Sequence, residues 1–92
     1  MRADHEPFAV ERAWRLNPQV ALRDESFGAL AYHYGNRRLV FLKSRTLVAL
    51  VSTLHEYPNA SAAISAHVPE SQHTSYARAL ARLATSEVIS AG

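Results

Sequence analysis

The spacing of hydrophobic positions changes along the chain, from a period of two in the first half to a helical period in the second. From Trp14 to Arg23, apolar residues alternate with mostly polar ones, which predicts a strand with one buried face. Pro18 cannot donate to a ladder, so we expect this strand to be irregular at its middle or to lie at an edge. A second strand is predicted from Phe27 to Tyr34, followed by a two-residue hairpin turn at Gly35-Asn36 and a third strand, Arg37–Lys43.

The second half of the chain predicts three helices. Ser44 is a good N-cap for a first helix from about Arg45 to Glu56. Asn59 caps a short, alanine-rich second helix that ends near His67, and a third helix runs from about Ser71 or Thr74 to Ser86. The predicted fold class is α+β: a three-stranded antiparallel sheet followed by three helices (β-β-β-α-α-α), the topology of a winged-helix relative.

Length and composition indicate one small domain, since the chain has 92 residues, 48% of them hydrophobic. Residues 1–12 are polar and show no sustained period, so we expect a flexible N-terminal arm before a single domain at 13–90. The chain has no cysteine, which excludes disulfides and thiolate chemistry and favours a cytoplasmic location. The longest aliphatic run, Leu47–Val51, is too short to span a bilayer, so no membrane partner is expected.

The sequence offers no catalytic pair and no metal-binding motif. Acidic residues fall in the arm, in a turn or at the ends of elements, where they usually cap or solvate. The histidines lie on separate elements without helical metal-site spacing and are interpreted as surface residues: His5, His33, His55, His67 and His73. The three glycines form no phosphate-binding loop. We therefore expect a protein that is not an enzyme and holds no cofactor.

The third predicted strand differs from the first two, because residues 39–42 are all apolar. It is either sandwiched between helix and sheet or an open edge strand that an extended ligand completes. Four basic residues and no acid occur between positions 35 and 55, so the ligand would be acidic, although a basic edge also simply deters aggregation. The expected peptide-binding residues are Arg38, Leu39, Val40, Phe41, Leu42 and Lys43, with Tyr76, Ala79 and Leu83 on the third helix and a charged rim of Arg37, Arg45, Arg78 and Arg82.

The run WRLNPQVALRDESFGALAYHYGNRRLVFLKSRTL, followed by three helices, resembles the peptide chaperones of mycofactocin biosynthesis, which are PqqD-like precursor-peptide recognition elements. The likeness is most specific in Pro18-x-Val20-x-Leu22-Arg23, Phe27-Gly28-Ala29-Leu30-x-Tyr32 and Arg38-Leu39-x-Phe41-Leu42. It implies a non-catalytic protein that binds the leader of a ribosomally made precursor peptide and presents it to a radical S-adenosylmethionine maturase. It also implies that the leader adds beside the third strand and leans on the third helix. One departure is Ser86-Glu87-Val88, where a glycine is expected to close the third helix.

Two alternatives stay open at the level of sequence. The second and third helices could form a helix-turn-helix of a winged-helix DNA-binding domain, although only Arg78 and Arg82 are basic along the third helix, which disfavours nucleic acid. The open edge could instead pair with a second copy of the chain and form a homodimer.

Overall fold

The computed structural model describes residues 7–92 and contains two antiparallel sheets and three α-helices. In chain order the elements are β1 (Trp14–Leu16), β2 (Val20–Glu25), β3 (Gly28–His33), β4 (Leu39–Leu42), α1 (Arg45–Thr53), α2 (Ala60–His67), α3 (His73–Thr85) and β5 (Ile89–Ala91). Short 3₁₀ turns follow α1 at Leu54–Glu56 and precede α3 at Glu70–Gln72. The main sheet has the order β2-β3-β4 and precedes the helices, which confirms the predicted α+β class, while the likeness to winged-helix domains stays a prediction.

The first predicted strand is divided in two at Asn17–Gln19. Asn17 builds a tight turn there: its side-chain oxygen accepts from the Gln19 N–H at 2.9 Å, and its carbonyl accepts from the Val20 N–H at 2.9 Å. Pro18 lies inside this turn and has no N–H to leave unpaired. The irregularity predicted from Pro18 is therefore a complete break, and β1 belongs to a different sheet from β2.

The C-terminal segment forms a strand that the sequence did not predict. β5 pairs with β1 in antiparallel register, with Trp14 opposite Ala91 and Leu16 opposite Ile89. The preceding helix ends in a Schellman motif, since the Val88 N–H donates to the Leu83 carbonyl at 2.8 Å and the Glu87 N–H donates to the Ala84 carbonyl at 3.1 Å. Glu87 takes the left-handed conformation (φ 66°) that usually falls to glycine. The helix thus closes without the expected glycine.

The core lies between the main sheet and the helices. Ala29 and Ala31 of β3 and Leu42 of β4 face inward and are buried, and Leu50 and Val51 of α1 are buried with them. Ser44 caps α1, because its Oγ accepts from the Leu47 N–H at 3.1 Å, and Asn59 caps α2 in the same way through the Ala62 N–H at 2.8 Å. Both predicted N-caps are confirmed.

The segment before β1 contacts the helices. The Phe8 ring lies 5.1 Å from the ring of Trp14, which is buried as predicted. The carbonyls of Val10 and Arg12 accept from the first two N–H groups of α2, those of Ser61 and Ala60, at 2.9 and 3.0 Å. These bonds satisfy donors that a helix start otherwise leaves unpaired. The flexible arm predicted at 1–12 also covers residues 1–6, which lie outside the described residues, and it stays a prediction.

The loop from β3 to β4 differs from the predicted two-residue turn. It runs over residues 34–38, and Arg37 has the positive φ (63°) that a two-residue primed turn would have required of Gly35. The ring of His33 is buried beneath this loop, where its Nδ1 accepts from the N–H groups of Gly35 and Asn36 at 2.9 and 3.1 Å. The interpretation of His33 as a surface residue was therefore wrong: this side chain determines the loop.

Candidate functional site

The edge strand β4 is the first component of the candidate site. Within residues 7–92 it pairs with β3 alone, with Tyr32 opposite Leu39 and Ala31 opposite Val40. The His33 N–H donates to the Arg38 carbonyl at 3.0 Å, which marks this pair as hydrogen-bonded. Bonded and non-bonded pairs alternate along an antiparallel ladder, so Val40 and Leu42 bond to β3. The backbone N–H and C=O groups of Leu39 and Phe41 therefore point away from the sheet.

A groove between β4 and α3 is the second component. It encloses about 320 Å³, and its lining comes from the end of β4, the start of α1 and one face of α3: Phe41, Lys43, Ser44, Leu47, Ser75, Tyr76, Ala79 and Arg82. Leu47 and Tyr76 give the groove apolar surface, Phe41 borders it on the strand side, and Lys43 and Arg82 place cations at its border. The groove thus lies beside the open strand edge and combines apolar surface with positive charge.

A hydrogen bond holds the two walls of this groove together. The Oγ of Ser44 lies 3.1 Å from the hydroxyl of Tyr76, and the same Oγ accepts from the Leu47 N–H as the cap of α1. Gly28 positions the strand from the other side, since it has a φ of 147° and a Cβ there would collide with the carbonyl of Leu42. The end of β4 is therefore fixed by contacts to α1, α3 and the β2–β3 turn. The sequence pattern gave no sign of this role for Gly28.

The structure brings together some of the predicted site residues and separates others. Phe41, Lys43, Tyr76, Ala79 and Arg82 meet at the groove, and Ser44, Leu47 and Ser75 join them without having been singled out from the sequence. The side chains of Leu42 and Leu83 lie in the core, at 0% and 5% exposure, and Val40 is half-buried. The remaining residues of the predicted strand site and rim do not line the groove: Arg37, Arg38, Leu39, Arg45 and Arg78.

The opposite edge of the sheet, at β2, carries acidic residues. β2 also pairs with β3 alone within the described chain, and Asp24 and Glu25 lie at its end. A hollow of about 470 Å³ lies there between the β2–β3 turn and α1, and its lining includes both of these acids and Arg45. An acidic strand would meet like charge at this edge and unlike charge at β4. Electrostatics therefore favours the smaller groove at β4 for an acidic ligand.

Residues 7–92 contain neither a metal-binding cluster nor a membrane-spanning helix. These residues hold no group of three or more His, Asp or Glu side chains placed to hold a metal ion. Their helices are all too short or too polar to cross a membrane. The remaining described histidines are exposed or half-buried and serve local contacts, such as His67 Nε2 with Thr53 Oγ1 at 3.0 Å and His73 Nε2 with the Val68 carbonyl at 2.9 Å.

Comparisons with known proteins agree with the resemblance seen in the sequence. The peptide chaperone MftB family model matches residues 13–90. The peptide chaperone MftB of Mycobacterium tuberculosis is 49% identical over 89 residues, which cover 96% of this chain and 82% of that protein. The corresponding proteins of Mycobacterium ulcerans and Mycolicibacterium smegmatis are 48% and 43% identical, over 89% and 98% of this chain and 76% and 89% of their own lengths. No solved structure gives a significant match.

The family carries a name for a non-catalytic activity, peptide chaperone, which confirms the expectation that this protein is not an enzyme. The match runs from β1 through α3 into the start of β5 and therefore includes both components of the candidate site. On this evidence the chain belongs to the peptide chaperone MftB family.

Proposed function

We propose that this chaperone binds the leader of a ribosomally made precursor peptide by strand addition to β4. We propose further that it presents the bound peptide to a radical S-adenosylmethionine maturase in mycofactocin biosynthesis. The observation that carries the proposal is the open edge of β4 next to the cationic groove of α3. Addition of an extended peptide to a sheet edge uses backbone hydrogen bonds for affinity and neighbouring pockets for specificity.

The backbone of β4 supplies part of the affinity. Leu39 and Phe41 each offer one outward N–H and one outward C=O, and each new ladder bond contributes about 0.5–1.5 kcal/mol net. The four groups together supply at most about 6 kcal/mol, whereas a micromolar complex needs about 8 kcal/mol. Ladder bonds alone therefore fall short, and peptide side chains must contribute as well.

The groove supplies the remaining affinity. Side chains alternate along an added strand, so every second one faces α3 and can lie on Leu47, Tyr76 and Ala79. Burying one large apolar side chain there contributes about 1.5–3 kcal/mol. Acidic residues of the peptide would pair with Lys43 and Arg82, neither of which forms an ion pair within residues 7–92. The preferred ligand is thus an extended segment with an apolar anchor between acids.

The family resemblance assigns the chemistry of the pathway to the maturase. The chain has no cysteine, which is consistent with an iron–sulfur cluster that lies in the maturase. The chaperone contributes a conformation, because it holds a short flexible peptide as a strand before the maturase acts on it. A cytoplasmic location for this protein remains our prediction.

Amide chemical-shift mapping by NMR tests the proposal, with the acidic precursor peptide titrated first and a short DNA duplex second. We expect the peptide alone to shift the amides of residues 38–43 and of the groove face of α3. DNA that shifts Arg78 and Arg82, together with no response to the peptide, would contradict the proposal and favour a winged-helix DNA-binding domain. Salt separates the two modes as well, since DNA binding weakens by about 0.9 log unit per log of salt for each phosphate neutralised.

A further inference from the structure

The outer face of the main sheet is an exposed apolar surface. The large hydrophobic residues that the described chain leaves most exposed all lie here: Phe27 at 43%, Tyr34 at 61%, Leu39 at 58% and Phe41 at 58%. Leu30 and Tyr32 of β3 are half-buried on the same side, opposite Phe41 and Leu39. These six residues define the outer face, which is distinct from the buried face formed by Ala29, Ala31 and Leu42.

The side chains of the outer face form a continuous layer. The rings of Phe27 and Phe41 lie 5.7 Å apart, and those of Tyr32 and Tyr34 meet edge to face at 5.2 Å. The helices pack on the opposite face, and no helix or strand of residues 7–92 covers this layer. A contiguous apolar patch bordered by polar residues is typical of an interaction surface.

Charge around the outer face identifies the kind of partner. Arg37 and Arg38 lie at one end of β4 and Lys43 lies at the other, and all three are exposed. A second copy stacked face to face with β4 on β4 would bring these cations against one another, which opposes association. With β4 on β2 instead, only Lys43 would lie near acids, those of Asp24 and Glu25, while Arg37 and Arg38 would stay unmatched. The cations along β4 are therefore matched better by a different protein, one that presents an apolar patch flanked by carboxylates.

The position of the outer face beside β4 indicates which protein this is. In a strand added to β4, the side chains that do not enter the groove point to the same side as Leu39 and Phe41. The bound peptide would thus extend the outer face by one strand. An enzyme docked here contacts both the chaperone and its own substrate.

We propose that the outer face is the docking surface for the maturase that modifies the bound peptide. The inference rests on the proposed function, because the partner is defined by the peptide it takes as substrate. It adds to that function a location on the fold where the two proteins meet, with Phe27 and Tyr34 as exposed contact residues outside the peptide-binding strand. The added strand and the sheet would then be recognised together, so the loaded chaperone binds the maturase more tightly than the free chaperone does.

The double substitution Phe27→Ser and Tyr34→Ser tests this surface. Both side chains are exposed, and neither lies on β4 or lines the groove, so the variant is expected to fold and to bind the peptide with the affinity of the wild type. We expect the dissociation constant for the purified radical S-adenosylmethionine maturase, measured by isothermal titration calorimetry, to rise by about tenfold or more. The matched control, Phe27→Leu with Tyr34→Phe, keeps the apolar surface and should retain the wild-type affinity.

Each outcome separates this inference from the proposed function. If the wild-type chaperone binds the precursor peptide and the serine variant binds the maturase as the wild type does, the docking surface is refuted and the function stands. If the wild-type chaperone binds no precursor peptide, the proposed function fails and the inference fails with it. A wild-type dimer in sedimentation that the serine substitutions dissociate, with unchanged maturase binding, would assign the outer face to a second copy and also overturn the inference.

Discussion

Two proline substitutions in β4 distinguish the backbone groups that would bind the peptide from those that pair with β3. Leu39 directs its N–H outward, whereas Val40 donates to β3 opposite Ala31. Leu39→Pro removes a donor that only a ligand uses, and proline is tolerated at the outward positions of edge strands. Val40→Pro removes a donor inside the sheet.

Leu39→Pro should change the affinity for the peptide, whereas Val40→Pro should change the stability of the fold. In Leu39→Pro the peptide loses one ladder bond and meets the proline ring at the neighbouring one, which weakens binding by about 1–3 kcal/mol, or about 5- to 150-fold. In Val40→Pro the carbonyl of Ala31, a residue only 1% exposed, loses its partner. An unsatisfied buried group of this kind costs about 1–3 kcal/mol of folding stability. That loss lowers the melting temperature of so small a domain by about 4–8 °C for each kcal/mol.

Calorimetric titration of the precursor peptide and thermal unfolding followed by circular dichroism measure the two effects separately. Leu39→Ala is the matched control, since it shortens the same side chain and keeps the N–H. We expect Leu39→Pro to unfold close to the temperature of Leu39→Ala while binding the peptide far more weakly. Equal peptide affinity in these two variants would refute strand addition at β4, and equal thermal stability of Val40→Pro and the wild type would refute the assigned ladder.

Three further predictions concern charge and backbone conformation. Reversing both groove cations, Lys43→Glu with Arg82→Glu, should weaken peptide binding by about 2- to 30-fold, because each exposed ion pair contributes about 0.2–1 kcal/mol. Titration calorimetry measures the affinity, with Arg15→Glu as an exposed control, and an equal loss of affinity in the control would contradict the prediction. Gly28→Ala should destabilise the fold by about 1–3 kcal/mol, since alanine is strained at this φ and its Cβ collides with the β4 backbone, and an unchanged urea midpoint would disprove that reasoning. Glu87→Gly should raise the melting temperature by a few degrees, because glycine adopts the left-handed conformation without the cost of about 1–2 kcal/mol that an L side chain incurs. A lower melting temperature would show that contacts of the Glu87 side chain outweigh that cost.

The elements that the sequence predicted well depend on short-range signals. Ser44 and Asn59 each bond to an N–H three residues further on, so their effect is visible in a local pattern. The helix predicted after Asn59 ends at His67, as it does in the structure. The apolar run at residues 39–42 likewise indicated a strand with unusual exposure, and Leu39 and Phe41 are indeed exposed.

The features that the sequence missed depend on contacts between distant parts of the chain. β5 is a strand because β1 pairs with it, and these two segments lie at opposite ends of the described residues. The sequence predicted His33 to be a surface residue, but in the fold its ring is buried beside Asn17 and Glu87. Asn17 Nδ2 lies 3.3 Å and Glu87 Oε1 lies 3.8 Å from His33 Nε2. No local pattern specifies such a meeting point.

The candidate site was likewise predicted only where local spacing was enough. Tyr76 and Ala79 were identified from helical spacing, and they line the groove with Arg82. Leu83 has the same spacing but lies in the core, because the rotation of α3 about its axis is set by tertiary packing. Which backbone groups of β4 point outward depends on the register with β3, and that register is fixed by the buried His33 and the loop above it.

Hydrogen exchange of the β4 amides, followed by NMR with and without the precursor peptide, tests the central claim most directly. In the free chaperone we expect the amides of Leu39 and Phe41 to exchange rapidly and those of Val40 and Leu42 to be protected by β3. Addition of the peptide should protect Leu39 and Phe41 and leave the other two unchanged. Rapid exchange of Leu39 and Phe41 in the presence of saturating peptide would contradict strand addition at this edge.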